Sequence, residues 1–195
     1  MSEYFGTKAD RKGNTMAVFD IRGTHGSGKS YLVHTLLKKY RSEPIIQKKK
    51  HIGYFIPDLD CGVIGRYSTA CGGCDGVGKQ DEVVRRIRLF SRRYRHVVLE
   101  GILVSHTFKR YAKIAKRAED YRFLFLDTPL KVCISRVRKR RLAKGNKKEL
   151  DPKNVIKDHH NIWDSVRNKC IAAGCCVKIL DWRDPFPDFI EMLIR

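Results

Sequence analysis

The segment Gly23-Thr24-His25-Gly26-Ser27-Gly28-Lys29-Ser30 constrains this chain more than any other. It follows the apolar run MAVFDI at Met16–Ile21, which reads as a buried strand, and it precedes Leu32, Val33, Leu36 and Leu37, which recur at helical spacing. A G-x-x-x-x-G-K-[ST] loop between a strand and a helix is built to hold phosphate. Its glycines let the backbone curl so that successive N–H groups face the anion, and the positive end of the new helix adds to that field. In this reading Gly23, Thr24, His25, Gly26, Ser27 and Gly28 form the cradle. Lys29 reaches the β- and γ-phosphates of ATP, and Ser30 offers its hydroxyl to Mg²⁺.

Further short apolar runs stand at 96–99 (HVVL), 122–126 (RFLFL) and 175–180 (CCVKIL), separated by segments of helical periodicity. Strands alternating with helices imply a parallel sheet covered on both faces. The expected fold class is therefore α/β: a P-loop NTPase, three-layer α/β/α, with a mostly parallel central sheet. One domain over 1–195 suits the length. Within it, 1–15 reads as a loose basic leader, 51–79 as a Gly/Cys-rich acceptor-side insertion of hairpin or irregular form, and 136–150 as a helical, arginine-rich segment that resembles the lid of P-loop kinases. Asp151-Pro152 marks a helix start.

Three elements surround the phosphate loop. Val97-Val98-Leu99-Glu100-Gly101 is a strand ending in an acid, and a parallel sheet brings such an end beside the loop. Glu100 is thus suited to Mg²⁺, or else caps the next turn. Leu126-Asp127-Thr128-Pro129 ends the next strand and opens a helix on which Arg136, Lys139 and Arg140 share one face. Arg136 and Arg140 suit a transferring phosphoryl group because guanidinium binds oxygens in bidentate fashion and stays charged; the bland alternative is a solvated basic helix. After the last strand, Asp181-Trp182-Arg183-Asp184-Pro185 resembles the adenine-holding loop of P-loop kinases, which implies that Trp182 or Arg183 stacks on the base, although Trp182 suits a core as well.

The acceptor side is expected between the first helix and Glu100. Gly65-Arg66-Tyr67 and Cys71-Gly72-Gly73-Cys74-Asp75-Gly76 have a glycine density that permits close approach to a ligand. Asp75 is the leading candidate base for a hydroxyl, with Arg66, Tyr67, Gly73 and Arg85 as substrate contacts. Cys71-x-x-Cys74 invites zinc, but no second ligand pair of suitable spacing accompanies it. Asp81 and Glu82 read as first-turn acids of the following helix.

Charge points to the partner. Lys plus Arg number 41 against 21 Asp plus Glu, a formal net charge of +20. Such a field attracts a polyanion through counterion release, and small metabolites do not require it. Six arginines between Arg85 and Arg95, with Lys38, Lys39 and Lys48–Lys50, form an expected DNA track. Seven cysteines, an odd number, with no apolar leader suit a reducing cytoplasm. No run is long enough for a membrane span.

The combination of GTHGSGKS, GRY…CGGCD, VVLEG and LDTP with its arginine helix, spanning 16 to about 141, resembles the P-loop kinases of bacteriophages that phosphorylate 5-hydroxymethyluracil within DNA. The resemblance implies transfer of the γ-phosphate of ATP to the 5-hydroxymethyl oxygen, a step toward hypermodified thymidines, in the cytoplasm of an infected host. The base would be flipped out of the duplex, with Tyr67 or Tyr54 as a stacking platform. Two other classes share the phosphate site: a kinase of free nucleosides or nucleoside monophosphates, which needs no such charge, and a nucleic-acid-stimulated ATPase, which needs a second acid beside Glu100. A DNA-binding module without catalysis leaves Lys29 and Ser30 unexplained.

Overall fold

The computed structural model describes residues 16–69, 72–146 and 148–194. The leader at 1–15, Cys71 and Lys147 lie outside the described residues. The chain opens with β1 (Ala17–Arg22), the phosphate loop and α1 (Lys29–Lys39), then an antiparallel pair, β2 (Glu43–Gln47) and β3 (Lys50–Ile56). A short turn at Pro57–Leu59 leads to β4 (Cys61–Ile64), and α2 (Gln80–Ser91) leads to β5 (His96–Glu100). Next come α3 (Ile102–Ser105), α4 (Lys109–Ala115), β6 (Asp120–Leu126) and α5 (Leu130–Ala143). The remainder is α6 (Lys153–His160), a wide helical turn at Asn161–Arg167, α7 (Asn168–Ala172), β7 (Cys176–Leu180) and α8 (Phe186–Ile194).

The sheet order is β2-β3-β4-β5-β1-β6-β7. Strands β4, β5, β1, β6 and β7 run parallel, while β3 is antiparallel to β4 and β2 to β3. This is the expected mostly parallel α/β sheet. Alternation along the strands feeds two cores: Phe19, Ile21, Val98, Leu124 and Leu126 pack on one face with α1 and α8. Val18, Val97, Leu99, Phe123 and Phe125 pack on the other with α2, α4 and the wide turn. Strands β1, β4 and β5 bury both faces, which is why β1 and β5 read as continuous apolar runs, whereas β2 and β7 at the edges stay largely open.

The hairpin reading of 51–79 holds in its first part, where β3 pairs antiparallel with β4 across the Pro57–Leu59 turn, and the hairpin joins the central sheet because β4 pairs parallel with β5 through Cys61↔His96 and Val63↔Val98. The glycines are part of the reason. A Cβ at Gly62 would run into Tyr94 and Phe90, and one at Gly53 into the Val63 carbonyl and Phe90.

The expected DNA track is split. Parallel strands share one edge at their C-terminal ends, where the phosphate loop and Glu100 lie. Helices α1 and α2 run back from that edge, and 11 residues cover roughly 16 Å. Lys38 and Lys39 therefore end at the opposite edge. So do Arg92, Arg93 and Arg95, since the Arg95 carbonyl accepts from the Ala17 N–H at the very start of β1. The hairpin tip at Lys48–Lys50 lies on the phosphate-loop side, because β3 enters its pairing at Gly53↔Ile64, the C-terminal end of β4.

Candidate active site

The loop after β1 turns through Gly26 (φ 79°) and Gly28 (φ 107°), both in the left-handed region that glycine adopts without strain. A Cβ at Gly26 would also collide with the Cys133 carbonyl of α5. Several elements grip the loop from outside. The Thr128 hydroxyl donates to the Ser27 carbonyl at 2.8 Å, and Arg136 Nη1 lies 3.3 Å from both the Gly26 and Ser27 carbonyls. From α6, His159 Nδ1 meets Thr24 Oγ1 at 3.1 Å. Asp158 bridges His25 Nε2 at 3.3 Å and His106 Nε2 at 3.2 Å.

Beneath the loop, Arg22 and Asp20 are fully buried and paired at 2.7 Å. Tyr121 donates its hydroxyl to the same Asp20 oxygen at 2.9 Å, Arg22 donates to the Thr107 carbonyl at 3.0 Å, and the guanidinium lies 4.7 Å from the Phe123 ring centre. Burial opposes the Arg22 charge, but the Asp20 carboxylate outweighs it and the pKa is raised overall.

A cleft of about 660 Å³ opens over the loop. Its walls bring together His25, Gly26, Ser27, Gly28, Lys29 and Ser30 with Asp75, Glu100, Arg136, Arg140, Trp182 and Arg183, residues separated by more than 150 positions in sequence. Gly23 and Thr24 lie under the loop and present backbone carbonyls to Lys29 Nζ at 2.7 and 3.1 Å. Burial lowers the Lys29 pKa, against the pull of Glu100 and Asp75. On the lid side, Arg136 sits 5.2 Å from the Trp182 ring centre and Arg183 5.3 Å, so two guanidinium groups lie against the indole.

Glu100 is completely buried at the end of β5. Its Oε1 accepts from the Ser30 hydroxyl at 3.0 Å, while Oε2 has no partner. Burial pushes its carboxyl up to about 7, with Lys29 opposing. An unpartnered buried carboxylate oxygen beside a serine hydroxyl is a donor set of hard oxygens suited to Mg²⁺, which takes few protein ligands and keeps its water and phosphate oxygens. Gly73, at φ 74°, presses on this carboxylate so closely that any Cβ would run into it. The Tyr67 hydroxyl faces Glu100, close enough to couple to it though outside hydrogen-bond geometry.

Asp75 sits at the rim, exposed to solvent. Its two oxygens accept from the Ile102 and Leu103 N–H groups at 3.0 and 3.1 Å, which fixes the carboxylate while leaving each oxygen a lone pair. Gly101 lets it come so near, since a Cβ there would lie 2.9 Å from Oδ1. Cys74 is buried beside it, its thiol pushed well up by burial.

Four expected substrate contacts stand outside the cleft walls. Gly73 backs Glu100. Tyr67 is 6 % exposed and packed in the core, so it offers no ring face for a base, and Tyr54 is half-buried between His51 at 4.6 Å and Tyr67 at 6.2 Å. Both are corrected as stacking platforms: Tyr54 on β3 and Tyr67 on the loop after β4 pack their rings against each other and against His51 and His34. Arg85 is bound by both oxygens of Glu82 at 2.7 and 2.8 Å, and Arg66 is exposed on the loop after β4. Sequence reasoning missed Asp158, His159 and His106, whose only local hint is a histidine inside the phosphate loop awaiting a partner.

The family described as 5-hmdU DNA kinase matches residues 6–172. Among curated relatives, a 5-hmdU DNA kinase of Pseudomonas phage PaMx11 is 34% identical over 149 residues, covering 71% of this chain and 77% of the relative. One of Delftia phage PhiW-14 is 32% identical over 199 residues, covering 91% and 72%. A third, of Pseudomonas phage M6, is 26% identical over 190 residues, covering 89% and 95%.

Proposed function

The chain belongs to the 5-hmdU DNA kinase family, and from that premise we propose that its cleft transfers the γ-phosphate of ATP to the 5-hydroxymethyl oxygen of a uracil base in DNA. The carrying observation is the convergence of Lys29, Ser30, Glu100 and Asp75 in one cleft. Transfer of a phosphoryl group asks chiefly for positioning and for compensation of charge spread over its oxygens.

Each residue has a part in that task. Backbone N–H groups of the loop and the start of α1 hold the β-phosphate. Lys29, released from the Gly23 and Thr24 carbonyls, turns to the β- and γ-phosphates, and Arg140 and Arg136 close from the lid. Trp182 and Arg183 flank the adenine. Ser30 and Glu100 would hold Mg²⁺, which neutralises charge between the β- and γ-phosphates when bound. On the acceptor side the hydroxymethyl oxygen forms a bond to the γ-phosphorus as the bond to the β–γ bridging oxygen breaks. Its proton passes to the carboxylate of Asp75, and ADP leaves with the bridging oxygen. The acceptor base enters unstacked, since a base within the duplex cannot reach so recessed a cleft.

The test is incubation with γ-labelled ATP and three acceptors: ordinary DNA, DNA containing 5-hydroxymethyluracil, and the free nucleosides. Label on DNA only when the hydroxymethyl group is present is the expected result. Label on a free nucleoside alone overturns the reading.

A further inference from the structure

We propose that the tip of the β2–β3 hairpin, Lys48, Lys49 and Lys50, is a contact surface for the DNA backbone flanking the acceptor base. This rests on the kinase reading above for its choice of partner.

The first observation is conformational. Gln47 pairs with Lys50, so the connection has two residues, Lys48 and Lys49, and both have positive φ, 48° and 61°. A two-residue turn with both residues left-handed strongly prefers Asn-Gly or Asp-Gly. Lysine carries a Cβ that crowds the carbonyl in that region, and neither lysine has a short side chain to bond its own backbone. Two unfavourable residues at adjacent positions, where two favourable ones would fold better, indicate that the charges are what is needed there.

The second observation is position. The tip stands at the sheet edge that carries the phosphate loop, Glu100 and Asp75, whereas Arg92, Arg93 and Arg95 stand at the opposite edge. From β5 to the hairpin is two to three strands, roughly 10–14 Å at strand spacing. At about 3.4 Å per nucleotide along one strand, that is ~3–4 nucleotides from the base in the cleft.

The third observation is charge. All three lysines are exposed, and no carboxylate pairs with any of them among the described residues. The nearby Arg85, by contrast, is paired with Glu82, which it shares with Arg86. Three uncompensated ammonium groups in a row at a two-residue turn suit successive phosphates, which they contact without reading sequence.

The decisive variant is Lys48→Asn with Lys49→Gly, which gives the turn its preferred residues while removing two charges. Its melting temperature should equal or exceed that of the unaltered protein. Binding to a duplex of about 30 base pairs containing 5-hydroxymethyluracil, read by fluorescence anisotropy without ATP, should weaken about tenfold near physiological salt. The slope of log affinity against log salt should fall by about 2. Transfer to a trinucleotide acceptor, too short to reach the hairpin, should keep its kcat and KM. Lys48→Gln with Lys49→Gln, which keeps the stems and removes the charge, should reproduce the loss. Unchanged duplex affinity and salt slope in both variants would overturn the proposal. Because binding is read apart from transfer, a failure of the kinase reading shows separately, as unaltered protein that binds the duplex but leaves no label on it.

Discussion

The hydroxyl of Ser30 donates to Oε1 of Glu100 across 3.0 Å, tying the first turn of α1 to the end of the neighbouring strand β5. This contact joins two motifs 70 residues apart into one oxygen-lined corner, with Glu100 Oε2 left unpartnered inside it. A buried carboxylate oxygen without a donor costs free energy unless a ligand meets it, and the cost is concentrated where the proposed chemistry requires a cation.

Replacing Glu100 by Gln keeps the shape and removes the charge. Transfer to 5-hydroxymethyluracil DNA should fall by about 10²–10³-fold, with a raised Mg²⁺ requirement, while circular dichroism and melting remain near those of the unaltered protein. A magnesium titration of initial rates checks this.

Asp20→Asn leaves the Arg22 guanidinium buried with no countercharge, between Phe123 and Tyr111. Removing one member of a buried pair costs about 3–5 kcal/mol, so the urea midpoint should drop sharply. Asp20→Asn with Arg22→Met should recover part of that loss.

His96 supplies a pH dependence of stability. It is 3 % exposed at the start of β5, neither ring nitrogen has a partner, and burial, with Arg95 and Arg122, lowers its pKa to about 4. The folded state thus keeps the ring neutral while the unfolded chain takes a proton near pH 6.5. Stability from this site is complete above pH 6.5 and is lost as pH falls from there toward 4. Melting temperatures measured between pH 7.5 and 4.5 should decline less steeply in His96→Phe than in the unaltered protein.

Much of this was legible locally. The phosphate loop needs only glycines at fixed offsets between a strand and a helix, and Glu100 needs only a strand that ends in an acid, so neighbouring residues suffice to place both. The first-turn acids Asp81 and Glu82 of α2 were equally readable. Partnerships across the fold were not. Tyr67 looks like an open aromatic beside glycines, yet the loop after β4 folds its ring into the core against His34 of α1. The arginines of α2 look like one basic track, yet the helix carries Arg92 and Arg93 to the far edge. Asp158 carries no local sign that it will bridge His25 and His106, because that contact depends on α6 docking more than 130 residues after the loop it supports.

One consequence concerns biosynthesis. The wall formed by Trp182 and Arg183 follows β7, which docks on β6 through Arg122↔Cys176 to Leu126↔Leu180. A chain emerging from the ribosome thus exposes its glycine turn long before the indole that closes the groove is translated.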